Sequence, residues 1–361
     1  MKTQHSPLAL LPILALSLLA AGCRQLQAGY YLTPENFPTP AGVGGQAAEA
    51  AGLDPQVTDP AQPTYTPIST VRAIETATLT PLPTQTAAPS ATPTEPPCTE
   101  TEGQVITDSF TSSITGAEFR YRVYVPPCYA LSGKRYPSVY MLHGLGAGMD
   151  DSQWDRMGLD EAASAGFVDG SLPPMIIVMP NGNDAAHDQH GPSAPYPELI
   201  VNELIPLIDR QYCTWADPTM RAIGGLSRGG FWAYWVALSH PELFSRVGGH
   251  SAYLYEPDFP SDKNPNNIVL SAPGIESLAM YFDHGGAGRE LSEIRPGIEQ
   301  FMALLAQRGI TPIYVENATG DHVESYWSAH INDYLAFYGA NWPRDVSLLP
   351  SCSEPSPPVD G

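Results

Sequence analysis

The chain has 361 residues and carries 38 acidic against 17 basic side chains, a formal net charge of −21 with only three lysines. Binding to nucleic acid rests on clustered Lys and Arg that neutralise phosphates, so this balance argues against a nucleic-acid partner. No acidic block stands out, and the charge reads as general surface solvation.

Taken in chain order, residues 1–22 read as a targeting segment. Lys2 precedes an uncharged apolar run from Leu8 to Ala21, 14 residues long and too short to span a bilayer as a helix. The run closes on Leu19-Ala20-Ala21-Gly22-Cys23, which resembles the lipobox of bacterial lipoproteins, so Cys23 is expected to be acylated and to anchor an exported protein at the membrane. Residues 23–97 turn to Pro, Thr, Ala and Gly, with 13 prolines between Pro34 and Pro97. Such a segment cannot bury enough apolar surface to offset its ordering entropy, and it reads as a stalk.

The folded part is expected over residues 98–345, with a short tail over 346–361. Gln104 to Ser112 and Glu118 to Val125 alternate polar and apolar residues and predict an antiparallel pair turning at Gly116. Buried strands are predicted at Ser138–Leu142, Met175–Met179, Ala222–Leu226, Arg246–His250, Ala279–Phe282 and Pro312–Glu316. Between them fall helical patterns: Ile200, Leu204, Leu207 and Ile208 share one face, as do Ile298, Phe301, Met302 and Leu305, and then Trp327, Ile331, Tyr334, Leu335 and Tyr338. The alternation predicts a doubly wound, mostly parallel α/β sheet with an antiparallel N-terminal edge, whose site lies at the carboxyl ends of the strands.

Apart from Cys23, four cysteines remain, Cys98, Cys128, Cys213 and Cys352. An even number in an exported chain implies two disulfides; three pairings are possible, and Cys98–Cys128 with Cys213–Cys352 is preferred because these bracket the first hairpin and tie down the tail. The cysteine spacings fit no zinc site.

The chemistry centres on Gly225-Leu226-Ser227-Arg228-Gly229, a GxSxG pattern between a predicted strand and a predicted helix. A serine on so tight a turn has its hydroxyl pushed clear of the backbone, and the two glycines stand where a side chain would collide as strand and helix cross. A hydroxyl is a poor nucleophile until an imidazole takes its proton. His322, in the loop after the last predicted strand, is the candidate base. Backbone amides of Arg228 and of Leu145, after His143-Gly144, are the candidate oxyanion donors.

Six stretches carry a family resemblance: YMLHGLG (140–146), IIVMPNG (176–182), ELIPLIDRQYCT (203–214), GGLSRGGFWA (224–233), HPELF (240–244) and GDHVESYWSAHINDYLAFY (320–338). In this order and spacing they resemble the α/β-hydrolase branch of esterase D, the antigen 85 mycolyltransferases and the feruloyl esterases. The resemblance implies the α/β-hydrolase fold and a serine esterase working through an acyl-enzyme. It also implies a small-molecule or polysaccharide-linked ester substrate, and no cofactor or metal is expected. A monomer is expected too. Acyl transfer to a sugar hydroxyl is the second reading, and a noncatalytic binding module on a hydrolase scaffold the third.

The acid departs from the family. Relatives commonly read DxGxxD after the sixth strand, whereas Asp283-His284-Gly285-Gly286-Ala287-Gly288 ends in glycine. Glu290 is the preferred acid, Glu293 the alternative, and Asp283 a further one. His187, Asp188 and His190 are expected to line the pocket rather than hold a metal. Asp150 and Asp151 are expected to form a polar loop, Glu198 and Glu203 to cap a helix, and the sequon at Asn317 is not expected to carry a glycan.

Overall fold

The computed structural model describes residues 99–353 apart from residue 147, residues 183–194 and residues 256–261. Cys23, the stalk, Cys98, and the loop residues His187, Asp188 and His190 lie outside the described residues.

Eight strands form one sheet: β1 (Gln104–Thr111), β2 (Glu118–Val125), β3 (Ser138–Leu142), β4 (Ile176–Pro180), β5 (Arg221–Leu226), β6 (Arg246–His250), β7 (Ala279–His284) and β8 (Ile313–Glu316). Their order is β1-β2-β4-β3-β5-β6-β7-β8. The hairpin β1–β2 and the β2–β4 pair are antiparallel, and every pairing from β4 through β3 to β8 is parallel. The central strands β3 to β7 are buried almost throughout because both sheet faces are covered. Successive side chains point to opposite faces. Tyr140 and Leu142 of β3 therefore join one core and Val139 and Met141 the other.

Helices α1 (Leu159–Val168), α2 (Ile205–Gln211), α3 (Arg228–Ser239), α4 (Pro265–Ser271), α5 (Arg295–Gln307) and α6 (Glu324–Tyr338) supply the cover. Residues of α2, α3, α4 and α5 pack in the first core, and those of α1 and α6 in the second. Nearly all of α3 is buried, including Phe231, Val236 and Leu238, each contributing about 1.5–3 kcal/mol by area.

Two π-helical turns interrupt the predicted helices, at Ile200–Leu204 before α2 and at Glu290–Ile294 before α5. Each runs into a helix with proline at its second residue, Pro206 and Pro296. Proline has no N–H to close an ordinary α turn, and the wider turn accommodates the missing bond.

Cys213 and Cys352 are joined in a disulfide. Cys128 is also disulfide-bonded, and its expected partner Cys98 lies outside the described residues. Asp150 and Asp151 lie in the loop between β3 and the short helix Gln153–Arg156, and the Asp151 carboxylate is fully buried there between Arg120 at 2.6 Å and Arg122 at 3.3 Å, both on β2. One expectation is corrected. Glu203 does not cap a helix; it accepts from the Ser112 hydroxyl at 2.5 Å and the Ser113 amide at 2.7 Å, closing the β1–β2 turn. Glu198 sits in the first turn of the helix Tyr196–Leu199, where a carboxylate complements the helix dipole.

Candidate active site

Strand β5 delivers Ser227 to the carboxyl edge of the sheet, and α3 departs from it at once. Ser227 holds φ 51°, ψ −117°, a sparsely populated conformation for a residue with a side chain. Hydrogen bonds on both sides hold it there: its N–H donates to the His250 carbonyl at 2.9 Å, and its carbonyl accepts from the Tyr253 N–H at 3.0 Å. The flanking glycines are sterically required. A Cβ on Gly225 would lie 2.4 Å from the Gly229 carbonyl carbon, and one on Gly229 would lie 2.3 Å from the Leu142 oxygen.

The Ser227 hydroxyl donates to His322 Nε2 at 2.8 Å. His322 Nδ1–H donates to Glu290 Oε1, also at 2.8 Å. The Glu290 side chain is fully buried, and its second oxygen accepts the Gly285 N–H at 3.3 Å. Serine, imidazole and carboxylate thus form one continuous chain, with the carboxylate fixing which ring nitrogen carries the proton.

The other two acid candidates point elsewhere. Glu293 lies half-exposed and accepts from Arg289 Nε at 2.6 Å. Asp283 accepts from His250 Nδ1–H at 3.0 Å and from the hydroxyls of Tyr326 at 2.7 Å and Tyr334 at 2.9 Å. Three donors satisfy this buried carboxylate. Burial lowers the His250 pKa despite the Asp283 charge, and the Tyr338 hydroxyl donates to its other nitrogen at 2.8 Å.

Several contributors were not legible in the sequence. Trp327 meets the His322 ring edge-on, with centroids 5.0 Å apart, and its indole N–H donates to the buried Ser251 hydroxyl at 3.0 Å. Asp321 accepts the N–H of His322 at 2.7 Å and of Arg289 at 2.9 Å, and these two donors hold its carboxyl below the usual range. Asn317, the sequon residue, donates to the Tyr326 hydroxyl at 2.8 Å. The spacing of Trp327 after His322 was visible; the partners, far apart in sequence, were not.

A cleft of about 380 Å³ opens over the serine, lined by Leu145, Leu226, Met149, Val323 and Trp327, with Arg289 and Glu324 also on its wall. Arg228 turns its guanidinium inward, 5.0 Å from the centre of the Phe231 ring. Its backbone N–H, at the first turn of α3, directly follows Ser227. Among the described residues, no group of three or more His, Cys, Asp or Glu is arranged to hold a metal ion.

A "Putative esterase" family model matches residues 112–338, more than half of the chain. The endo-1,4-beta-xylanase/feruloyl esterase of Xylanibacter ruminicola is 33% identical over 165 residues, covering 43% of this chain and 22% of that protein. An esterase of Mycobacterium tuberculosis is 29% identical over 147 residues, covering 39% of this chain and 31% of the relative, so the chain spans less than a third of the length of either. Among solved structures, a ferulic acid esterase superposes with a TM-score of 0.57 at 23% identity, over 66% of this chain and 98% of that one. The S-formylglutathione hydrolase of Staphylococcus aureus gives 0.55 at 16% identity, over 65% and 98%. These likenesses establish the α/β-hydrolase architecture, and the match to the family model, across both core faces and every residue of the hydrogen-bonded chain, makes this protein a member of the putative esterase family.

Proposed function

We propose that this protein is a serine esterase that cleaves carboxylic esters through an acyl-enzyme on Ser227. The observation that carries the reading is the chain from the Ser227 hydroxyl through His322 to the buried carboxylate of Glu290, opening on an apolar cleft. His322 Nε2 takes the hydroxyl proton as Ser227 Oγ bonds to the ester carbon, and Glu290 stabilises the imidazolium that forms. The carbonyl oxygen becomes an oxyanion against the N–H groups of Leu145 and Arg228. Collapse breaks the bond to the alcohol, which leaves with the proton from His322. Water then gives its proton to His322 as it attacks the acyl carbon, and the acid departs from a regenerated serine.

The apolar cleft wall fits the acyl part of the substrate. Relatives named feruloyl esterase support an acyl group of that class, on a small alcohol or a polysaccharide. The decisive experiment compares wild type with Ser227→Ala on p-nitrophenyl acetate and methyl ferulate. Turnover should fall by several orders of magnitude, since the oxyanion site alone retains only a small part of the acceleration. A variant that keeps a tenth or more of the activity would overturn the reading.

The same proposal includes export: residues 1–22 as the signal, an acylated Cys23 and a stalk over residues 23–97. The apolar run from Leu8 to Ala21 just before Cys23 supports it. Cys23→Ser should move the protein from the membrane fraction to the soluble one, because acyl chains supply most of such an anchor's affinity.

A further inference from the structure

We infer that Gln153, held in turn by Glu324, is a positioning residue that aims the oxyanion donor of Leu145; the inference rests on the esterase reading above. Gln153 opens the short helix Gln153–Arg156, and its side chain is fully buried although it takes no part in the Ser227–His322–Glu290 chain. Its Oε1 accepts the Gly144 N–H at 2.9 Å, and its Nε2 donates to Glu324 Oε1 at 3.2 Å. Only this orientation of the amide works: reversed, NH2 would face N–H and oxygen would face carboxylate. Arg156 Nη2 lies 3.0 Å from the same Glu324 oxygen and holds that carboxylate in place.

Gly144 is clamped from its other side as well. Its carbonyl accepts His143 Nδ1–H at 2.7 Å, and the Gly182 N–H donates to His143 Nε2 at 2.9 Å, which fixes the tautomer. The Gly144–Leu145 peptide is planar and trans, so holding the Gly144 carbonyl against buried His143 points the Leu145 N–H the opposite way within that plane. This peptide borders the cleft and sits close over the nucleophile: a Cβ on Gly144 would lie 3.6 Å from Ser227 Cβ. Glu324 begins α6 two residues after His322. One buried amide therefore ties the turn that carries the oxyanion donor to the loop that carries the base.

The test measures kcat and KM on p-nitrophenyl acetate, inhibition by phenylboronic acid, which forms a tetrahedral adduct on the serine, and thermal stability, for Gln153→Met, Glu324→Ala and Glu324→Gln. Gln153→Met should lower kcat by about 10- to 100-fold, less than outright loss of a donor, with boronate affinity falling in parallel and KM nearly unchanged. Glu324→Ala should weaken boronate binding several-fold, and Glu324→Gln, which keeps an acceptor for Gln153, should restore most of it. Folded variants that inhibit and turn over like wild type, or that change KM alone, overturn the inference. If Gln153→Met does not fold, the two variants of half-exposed Glu324 decide by themselves. Ser227→Ala separates the two levels: boronate binding that survives this change sinks the esterase reading, whereas binding lost there but unaltered in the Gln153 and Glu324 variants sinks only the positioning role.

Discussion

Gly288 stands where the resembled family carries its acid, and the reason is steric. Its φ is +52°, and an added Cβ would lie 2.1 Å from an Asp321 carboxylate oxygen. That carboxylate is committed to the N–H groups of Arg289 and His322, so no side chain fits at position 288. Glu290, two residues on, reaches His322 Nδ1 instead. A glycine at the expected acid position therefore does not leave the histidine without a carboxylate. Glu290→Gln should leave the fold intact but lower kcat by about 10³- to 10⁴-fold, because the amide cannot stabilise the imidazolium and can favour the wrong tautomer. Glu293→Gln, which removes only a surface pair with Arg289, should change kcat little. Steady-state kinetics of both variants checks this, and equal small losses would refute it.

At the scale of elements, the periodic patterns told strands from helices, and each strand end falls within two residues of its predicted place. That success follows from local physics, since period 2 and period 3.6 are properties of neighbouring residues. What the sequence hid were contacts across it: Asp283 with His250, Asp151 with β2, Glu203 with the β1–β2 turn. The GxSxG turn and the loop of His322 were legible, while the choice of Glu290 over Glu293 depended on a π turn that places the first inward and the second outward. Helix α1 carries another feature that no local pattern shows. Burial, then the adjoining Glu161, pushes the Asp160 carboxyl up to about 7, and one of its oxygens is buried without a hydrogen-bond partner. Its folded pKa lies above its unfolded value. The stability it contributes is therefore fully present below about pH 4 and is lost as pH rises through about 7. Asp160→Asn should raise the melting temperature more at pH 8 than at pH 5, as thermal melts across that range would show; an equal shift at both pH values would contradict the assignment.

Over the whole molecule, the segment after α6 is folded back and fastened. Leu349 enters the first core, the Arg135 N–H donates to the Pro350 carbonyl at 2.9 Å, and the Cys352 N–H donates to the Gly133 carbonyl at 2.7 Å. The Cys213–Cys352 bond then closes a loop with a sequence separation of 139. That loop contains β5 to β8, and with them Ser227, Glu290 and His322. A cross-link acts mainly by restricting the unfolded chain, more so for a longer loop, and typically contributes about 2–4 kcal/mol. The native contacts of the tail are made by backbone groups and a buried leucine that do not need the bond once the chain is folded. A paired Cys213→Ser and Cys352→Ser change should therefore lower the unfolding free energy by an amount of that order while leaving kcat on p-nitrophenyl acetate nearly unchanged under native conditions. Chemical denaturation followed by fluorescence, beside an activity assay on the same samples, separates the two effects. If kcat fell as steeply as stability, the bond would be holding the site's geometry rather than limiting the unfolded state.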